Sequence, residues 1–172
     1  MGLAVALIEP EIPPNTGNIA RLCAATDVAL HLIEPLGFQL DDQRLRRAGL
    51  DYWDAVDMWV HPHWRAFRHA VARERCLYFS THGMRSYLEA EYSTNSVLVF
   101  GNETQGMPVR IREKHAGRVF RIPMGPAVRS LNLSTAVAIV LYEAIRQLGD
   151  AVSASTPPDS FDIHLEEDGS HQ

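Results

Sequence analysis

One alternation limits the possible folds more than any other feature of the chain. The short runs LAVALIE (3–9), LHLIE (30–34), CLYFST (76–81), SVLVFG (96–101) and RVFRIP (118–123) are apolar almost throughout. Each gives way to a segment of helical spacing or to a polar loop. The helical segments start at Thr16, at DDQRLRRAG (41–49), at HPHWRAFRHAVA (61–72), at MPVRIREKHA (107–116) and at LNLSTAVAIVLYEAIRQLG (131–149). Strands that are apolar on both sides must be buried on both faces, as in a parallel sheet. The order predicts an α/β fold, a parallel sheet covered by helices on both faces. At 172 residues the chain can build one domain with a full core.

That domain is expected to span residues 1–149. From Asp150 on, SASTPPDS and EEDGSHQ offer little to bury, so residues 150–172 read as an acidic, disordered tail. Six of the 21 acids lie in it and no Lys or Arg does, which leaves 15 acids against 16 bases in the body. The formal charge of −5 therefore hides a nearly neutral domain, and 15 of its 16 bases are Arg. The planar Arg fork suits phosphate, although genome composition accounts for such a bias equally well.

Several chemistries drop out. No apolar run approaches the roughly 18–20 residues of a membrane span, and MGLAVALIEP lacks a basic leader and reads as a strand. Cys23 and Cys76 sit in apolar settings and are expected to be buried thiols of a protein in the reducing cytoplasm. There is no GxxxxGK[ST], no GxGxxG after the first strand and no GxSxG. His61, His63 and His69 lie near Trp64, but no Cys or carboxylate has ligand spacing beside them. They read as solvated or capping side chains, and no metal is expected.

Three loops at strand exits are different: PPNTGN after the first strand, GNETQGMP after SVLVFG, and PMGPAVRSLNLS after RVFRIP. In open α/β sheets ligands bind beyond the carboxyl ends of the strands, so three such loops mark a site. In EPEIPPNTGNIARLC (9–23) two prolines stop the strand, Asn15 and Thr16 offer N-caps, and Ile19, Leu22, Cys23 and Thr26 have core spacing. Gly17, Ala24, Ala25 and Val28 leave room for a second surface. A helix apolar nearly all round is expected to be buried, yet it carries Arg21. A buried Arg needs an anionic partner: Glu9, Glu11 or Glu103, or else a phosphate or a reacting oxygen.

With those loops in view, the chain resembles the SPOUT superfamily of RNA methyltransferases from about Leu3 to Gly149. EPEIPPNTGNIARLC is similar to its first motif, FGNETQGMP to its second and RIPMGPAVRSLNLSTAVAIVLYEA to its third. HLIEPLGFQLDDQRLRRAGLDY and the short length resemble the branch that 2'-O-methylates the wobble nucleotide of leucine tRNAs. The resemblance implies a trefoil knot near the carboxyl terminus of the sheet, S-adenosylmethionine as cofactor and tRNA as substrate. It also implies a homodimer whose active sites draw on both subunits. The stripe Val137, Val140, Leu141, Ile145 and Leu148 on the last helix suits either that interface or the core.

The same resemblance assigns residues. Arg21 falls on the catalytic Arg, Asn15 on the early Asn, Glu103 on the second-motif acid, and Ser130 and Asn132 on the third-motif Ser and Asn. Phe79, Gly101, Ile122, Ser130 and Leu131 would line the cofactor pocket. Arg44, Arg46 and Arg47 are the candidates for tRNA phosphate, with a solvated helical face as the alternative. The chain departs from the branch where Asn102 replaces a common Pro and Gln105 a common Arg, which removes one cation. Rival readings are another tRNA position, ribosomal RNA, a non-catalytic RNA- or nucleotide-binding module, and a flavodoxin-like binder of a small molecule.

Overall fold

The computed structural model describes residues 2–40 and 55–149. The expected helix at 41–49, with Arg44, Arg46 and Arg47, and the tail from Asp150 lie outside the described residues. The predicted strands form as β1 (Ala4–Ile8), β2 (Ala29–Ile33), β4 (Cys76–Phe79), β6 (Val97–Phe100) and β7 (Val119–Arg121). Two further strands escaped the sequence pattern. In β3 (Met58–His61), Trp59 and Val60 are exposed at a sheet edge, and β5 (Arg85–Ser86) is too short to show any period. Among the described residues the sheet runs β3-β2-β1-β6-β4-β7-β5, and every pairing is parallel.

The helices are α1 (Pro13–Ala25), α2 (Trp64–Ala70), α3 (Val109–Lys114) and α4 (Leu133–Leu148). Alternate strand residues feed two cores. Val5, Leu7, Leu30, Leu32, Leu98 and Phe100 pack on one face with Ile19 and Cys23 of α1 and Val137, Val140 and Leu141 of α4. Ala4, Ala6, Val97 and Val99 pack on the other with Phe67 of α2 and Ile111 of α3. Both faces are covered, as expected. The central stripe of α4 is thereby settled as core, since Val137, Val140 and Leu141 are fully buried.

Helix α1 begins three residues earlier than the caps suggested. Pro13 and Pro14 occupy its first turn, where an absent N–H costs nothing and the fixed φ already suits a helix. Asn15 and Thr16 are consequently buried inside the helix rather than capping it. In α2 the capping expectation holds, because His63 Nδ1 accepts from Ala66 N at 3.0 Å. Cys23 and Cys76 are free, buried thiols, and burial pushes the Cys23 thiol up to about 12.

His61, expected as a solvated or capping side chain at a helix start, is instead buried at the end of β3, where it pairs with His31. They occupy neighbouring strands, and Nδ1 of His31 lies 2.9 Å from Nε2 of His61, with Phe67 edge-on to both rings. Burial, then the neighbouring His61, pushes His31 down to about 4 from its ordinary 6.5. His61 is lowered by burial as well. The folded values lie below the unfolded one, so between them the unfolded chain takes up protons that the fold refuses. Stability is therefore expected to fall as pH drops from about 6.5 toward about 4. Denaturant unfolding across that window should give a shallower pH dependence in His31→Phe than in the parent chain.

Candidate active site

Strands β1, β6, β4 and β7 end side by side, and their exit loops enclose a cleft of about 740 Å3. Phe79 closes β4, Gly101 follows β6, Ile122 follows β7, and Ser130, Leu131 and Asn132 lead into α4. All five residues expected at the cofactor pocket line this cleft, and Asn15 and Glu103 line it too. The volume falls within the roughly 300–1,000 Å3 of small-molecule and cofactor sites. Apolar Phe79, Phe100, Ile122 and Leu133 share the lining with polar Asn15, Ser80, Asn102 and Asn132.

The polar residues are wired together. Glu103 accepts from Glu11 N at 2.8 Å, from Ile12 N at 3.1 Å and from Asn15 Nδ2 at 3.1 Å. Its carboxylate thus takes up backbone donors at the entrance to α1, where the helix dipole also favours negative charge. Asn15 Oδ1 then accepts from Asn132 Nδ2 at 2.8 Å. Asn132 Oδ1 caps α4, accepting from Ser134 N at 2.9 Å and Ser134 Oγ at 2.7 Å. One chain of hydrogen bonds therefore joins all three motif loops.

A second tie runs the other way. Glu11 accepts from Thr104 Oγ1 at 2.6 Å and from Asn102 Nδ2 at 3.4 Å, while Asn102 Oδ1 accepts from Gln105 N at 2.6 Å. Asn102, a departure from the resembled branch, gives this loop an internal turn and a link to the first motif. The loop folds back so tightly that a Cβ on Gly101 would strike the backbone of Gly106 and Met107. Gln105 lines the cleft without charge, but Arg129 lines it as well, so the cleft keeps a cation.

Of the expected catalytic residues, Asn15, Glu103, Ser130 and Asn132 come together and Arg21 does not. Arg21 lies on the exposed side of α1 with Asn18 and Ala25, away from buried Asn15, and is not among the residues lining the cleft. The expectation that it would be buried is corrected. Helix α1 packs its other side on the sheet and on α4, which leaves Arg21 on the exposed side. Sequence reasoning missed the roles of Glu11 and Thr104; their signal was only proximity to two motifs. Among the described residues no cluster of His, Cys, Asp or Glu could hold a metal, and no helix is long and apolar enough to cross a membrane.

The chain is similar to known proteins over most of its length. The SpoU rRNA methylase family matches residues 2–142. A tRNA (cytidine(34)-2'-O)-methyltransferase of Saccharophagus degradans is 53% identical over 150 residues, which cover 87% of this chain and 97% of that protein. A solved structure described as giving structural insights into the 2-OH methylation of C/U34 on tRNA superposes with a TM-score of 0.81 at 46% identity. That match covers 85% of this chain and 95% of the other. An AdoMet-bound rRNA methyltransferase from Sinorhizobium meliloti superposes at 0.77 with 28% identity, covering 86% of this chain and 57% of that one.

The wiring makes the cleft depend on Glu103. Glu103→Ala leaves two backbone donors and an Asn amide without their charged acceptor, at a cost of about 1.5–3 kcal/mol. Glu103→Gln, which keeps one oxygen, should cost less. Urea unfolding curves of the two variants, at unchanged slope, measure the difference.

Proposed function

The chain belongs to the SpoU rRNA methylase family, and we propose that it methylates the ribose 2'-hydroxyl of the wobble nucleotide, cytidine or modified uridine 34, in leucine tRNAs. The observation that carries this reading is the cleft in which Asn15, Glu103 and Asn132 tie three motif loops around a cofactor-sized space. It is supported by the likeness to proteins named for position 34 over nearly their whole length. The reading implies a cytoplasmic enzyme with tRNA as its macromolecular partner.

S-adenosylmethionine, when bound, supplies an electrophilic methyl group. Phe79, Gly101, Ile122, Ser130 and Leu131 would hold it, largely through backbone at loop tips and apolar contacts. Asn15 and Asn132, each held by a neighbour at 3.1 Å or less, keep the three loops in register with little left to reorganise. Ser130, exposed on the rim, would help orient the ribose. Arg21 carries a charge it does not give up near neutral pH. Its role is to clamp substrate phosphate and the oxyanion that develops as the hydroxyl loses its proton.

Because Arg21 does not line its own chain's cleft, the reading extends to a homodimer in which Arg21 of one subunit serves the cleft of the other. It extends also to a trefoil knot. Strand β7 lies between β4 and β5, which precede it in the chain, and a Cβ on Gly83 would strike the backbone at Phe120. Such close crossing of the 80–83 turn and β7 supports a threaded carboxyl-terminal segment.

The primary test is transfer of labelled methyl from S-adenosylmethionine to leucine tRNA from cells lacking the modification, followed by nucleoside mass spectrometry. A 2'-O-methylated nucleotide 34 that disappears with Arg21→Ala is expected, and methylation of another position or of ribosomal RNA alone would refute the assignment. Arg21→Lys should retain RNA affinity but lose most turnover, since a point charge replaces a fork. Mixing Arg21→Ala with a cleft-filling Ser130→Trp chain should restore roughly a quarter of wild-type activity if subunits exchange at random. No recovery means that Arg21 acts within its own subunit.

A further inference from the structure

The amino ends of the strands hold a second feature. The turn Arg73–Arg75 before β4, the turn Ala116–Arg118 before β7 and the end of α3 enclose a depression of about 350 Å3. Arg73, Lys114, His115 and Arg118 line it with Glu74 as the one carboxylate. Arg73 donates to His115 Nδ1 at 3.3 Å and to Lys114 O at 3.2 Å, and Arg118 donates to Glu74 O at 2.6 Å. These bonds fix two guanidinium groups without neutralising them. Among the described residues, no ion pair joins Arg73, Lys114 or Arg118 to a carboxylate.

Fixing a cation while leaving its charge intact is what an anion site requires, because the ordering cost is already met. The guanidinium has five N–H donors, of which Arg118 uses one here. His115 adds another: with Nδ1 accepting from Arg73, its ring proton sits on Nε2. The ring is held by stacking on Tyr78, centroids 4.5 Å apart at 15°. Its basicity reports the local field, since burial, then Arg73, Arg68, Lys114 and Arg118, push it down to about 4. Three of the 16 bases, Arg73, Lys114 and Arg118, meet here beside one carboxylate.

We propose that this pocket binds a backbone phosphate of the RNA substrate, remote from the nucleotide being methylated. The inference rests on the reading of the chain as a tRNA methyltransferase. Four-residue β4 alone separates pocket from cleft by about 13 Å, so the two engage different parts of the RNA. The rim is exposed at Arg73, Lys114 and Gly117. A free small anion in so open a place keeps most of its water. A polyanion instead gains by releasing its condensed counterions.

The test compares the whole protein with Lys114→Glu and with Lys114→Glu/Arg118→Gln for binding of full-length leucine tRNA across a range of salt. The single variant guards against misfolding, since the Lys114 side chain is exposed and joins no carboxylate among the described residues. Binding should weaken about tenfold in the double variant near 0.15 M salt, with the log–log salt slope shallower by about 1–2. Turnover at saturating tRNA should stay at the wild-type value. An unchanged affinity and slope in a variant beside a wild type that binds and methylates overturns the pocket alone. A wild type that binds no tRNA overturns the parent reading and this inference with it. In parallel, inorganic phosphate is titrated while the His115 ring is followed by NMR. A saturable response below about 10 mM together with unaltered tRNA binding assigns the pocket to a free anion and rejects the RNA contact.

Discussion

A carboxylate can only accept hydrogen bonds, and the polarity of the whole site follows from that fact applied to Glu103. Its oxygens take backbone donors of Glu11 and Ile12, and the third donor must be an amide nitrogen, so Asn15 turns Nδ2 toward it. Oδ1 of Asn15 is then left as an acceptor, which obliges Asn132 to present Nδ2. Oδ1 of Asn132 is thereby aimed at the first turn of α4, the position an N-cap needs. Two helix starts and three loops are oriented from one end of a chain of four groups, with no side chain left in an ambiguous rotamer.

Such wiring explains why the cleft needs few charges of its own. Loops held from behind can offer backbone groups at fixed positions, and the tightness of the turn itself demands Gly101. Asn15, Glu103 and Asn132 are occupied with each other, and Arg21, the cation of the first motif, lies on the exposed outer side of α1. Burying the inner side of α1 against the sheet and α4 is what carries Arg21 outward.

The alternation of apolar runs was enough to give the parallel sheet and both covered faces, because burial on two sides leaves strands with no polar period. The edge strands β3 and β5 were invisible for the same reason in reverse: exposed Trp59 and Val60, or a length of two residues, break the pattern. The start of α1 was misplaced because Asn15 and Thr16 look like caps, whereas Pro13 and Pro14 suit the first turn better. The cleft residues were legible through motif resemblance, since composition and spacing alone marked only three unusual loops. The partners of those residues were not legible. Hydrogen bonds such as Asn15 to Asn132 join positions far apart in sequence, and nothing local in either segment encodes the other.

The same commitments constrain the chemistry. For Glu103 to act as a general base it would have to accept the hydroxyl proton, and its neutral form would be a weaker acceptor for three donors now at 3.1 Å or less. The start of α1 and the Asn15–Asn132 link would loosen at the moment when alignment matters most. A guanidinium is no better a base, because it stays charged well above neutrality. The work left to these two residues is electrostatic: Glu103 holds the loops, and stabilising the oxyanion is the role proposed above for Arg21. On the proposed function the proton is therefore left to a group belonging to neither, and the substrate phosphate that Arg21 is proposed to clamp is one such acceptor.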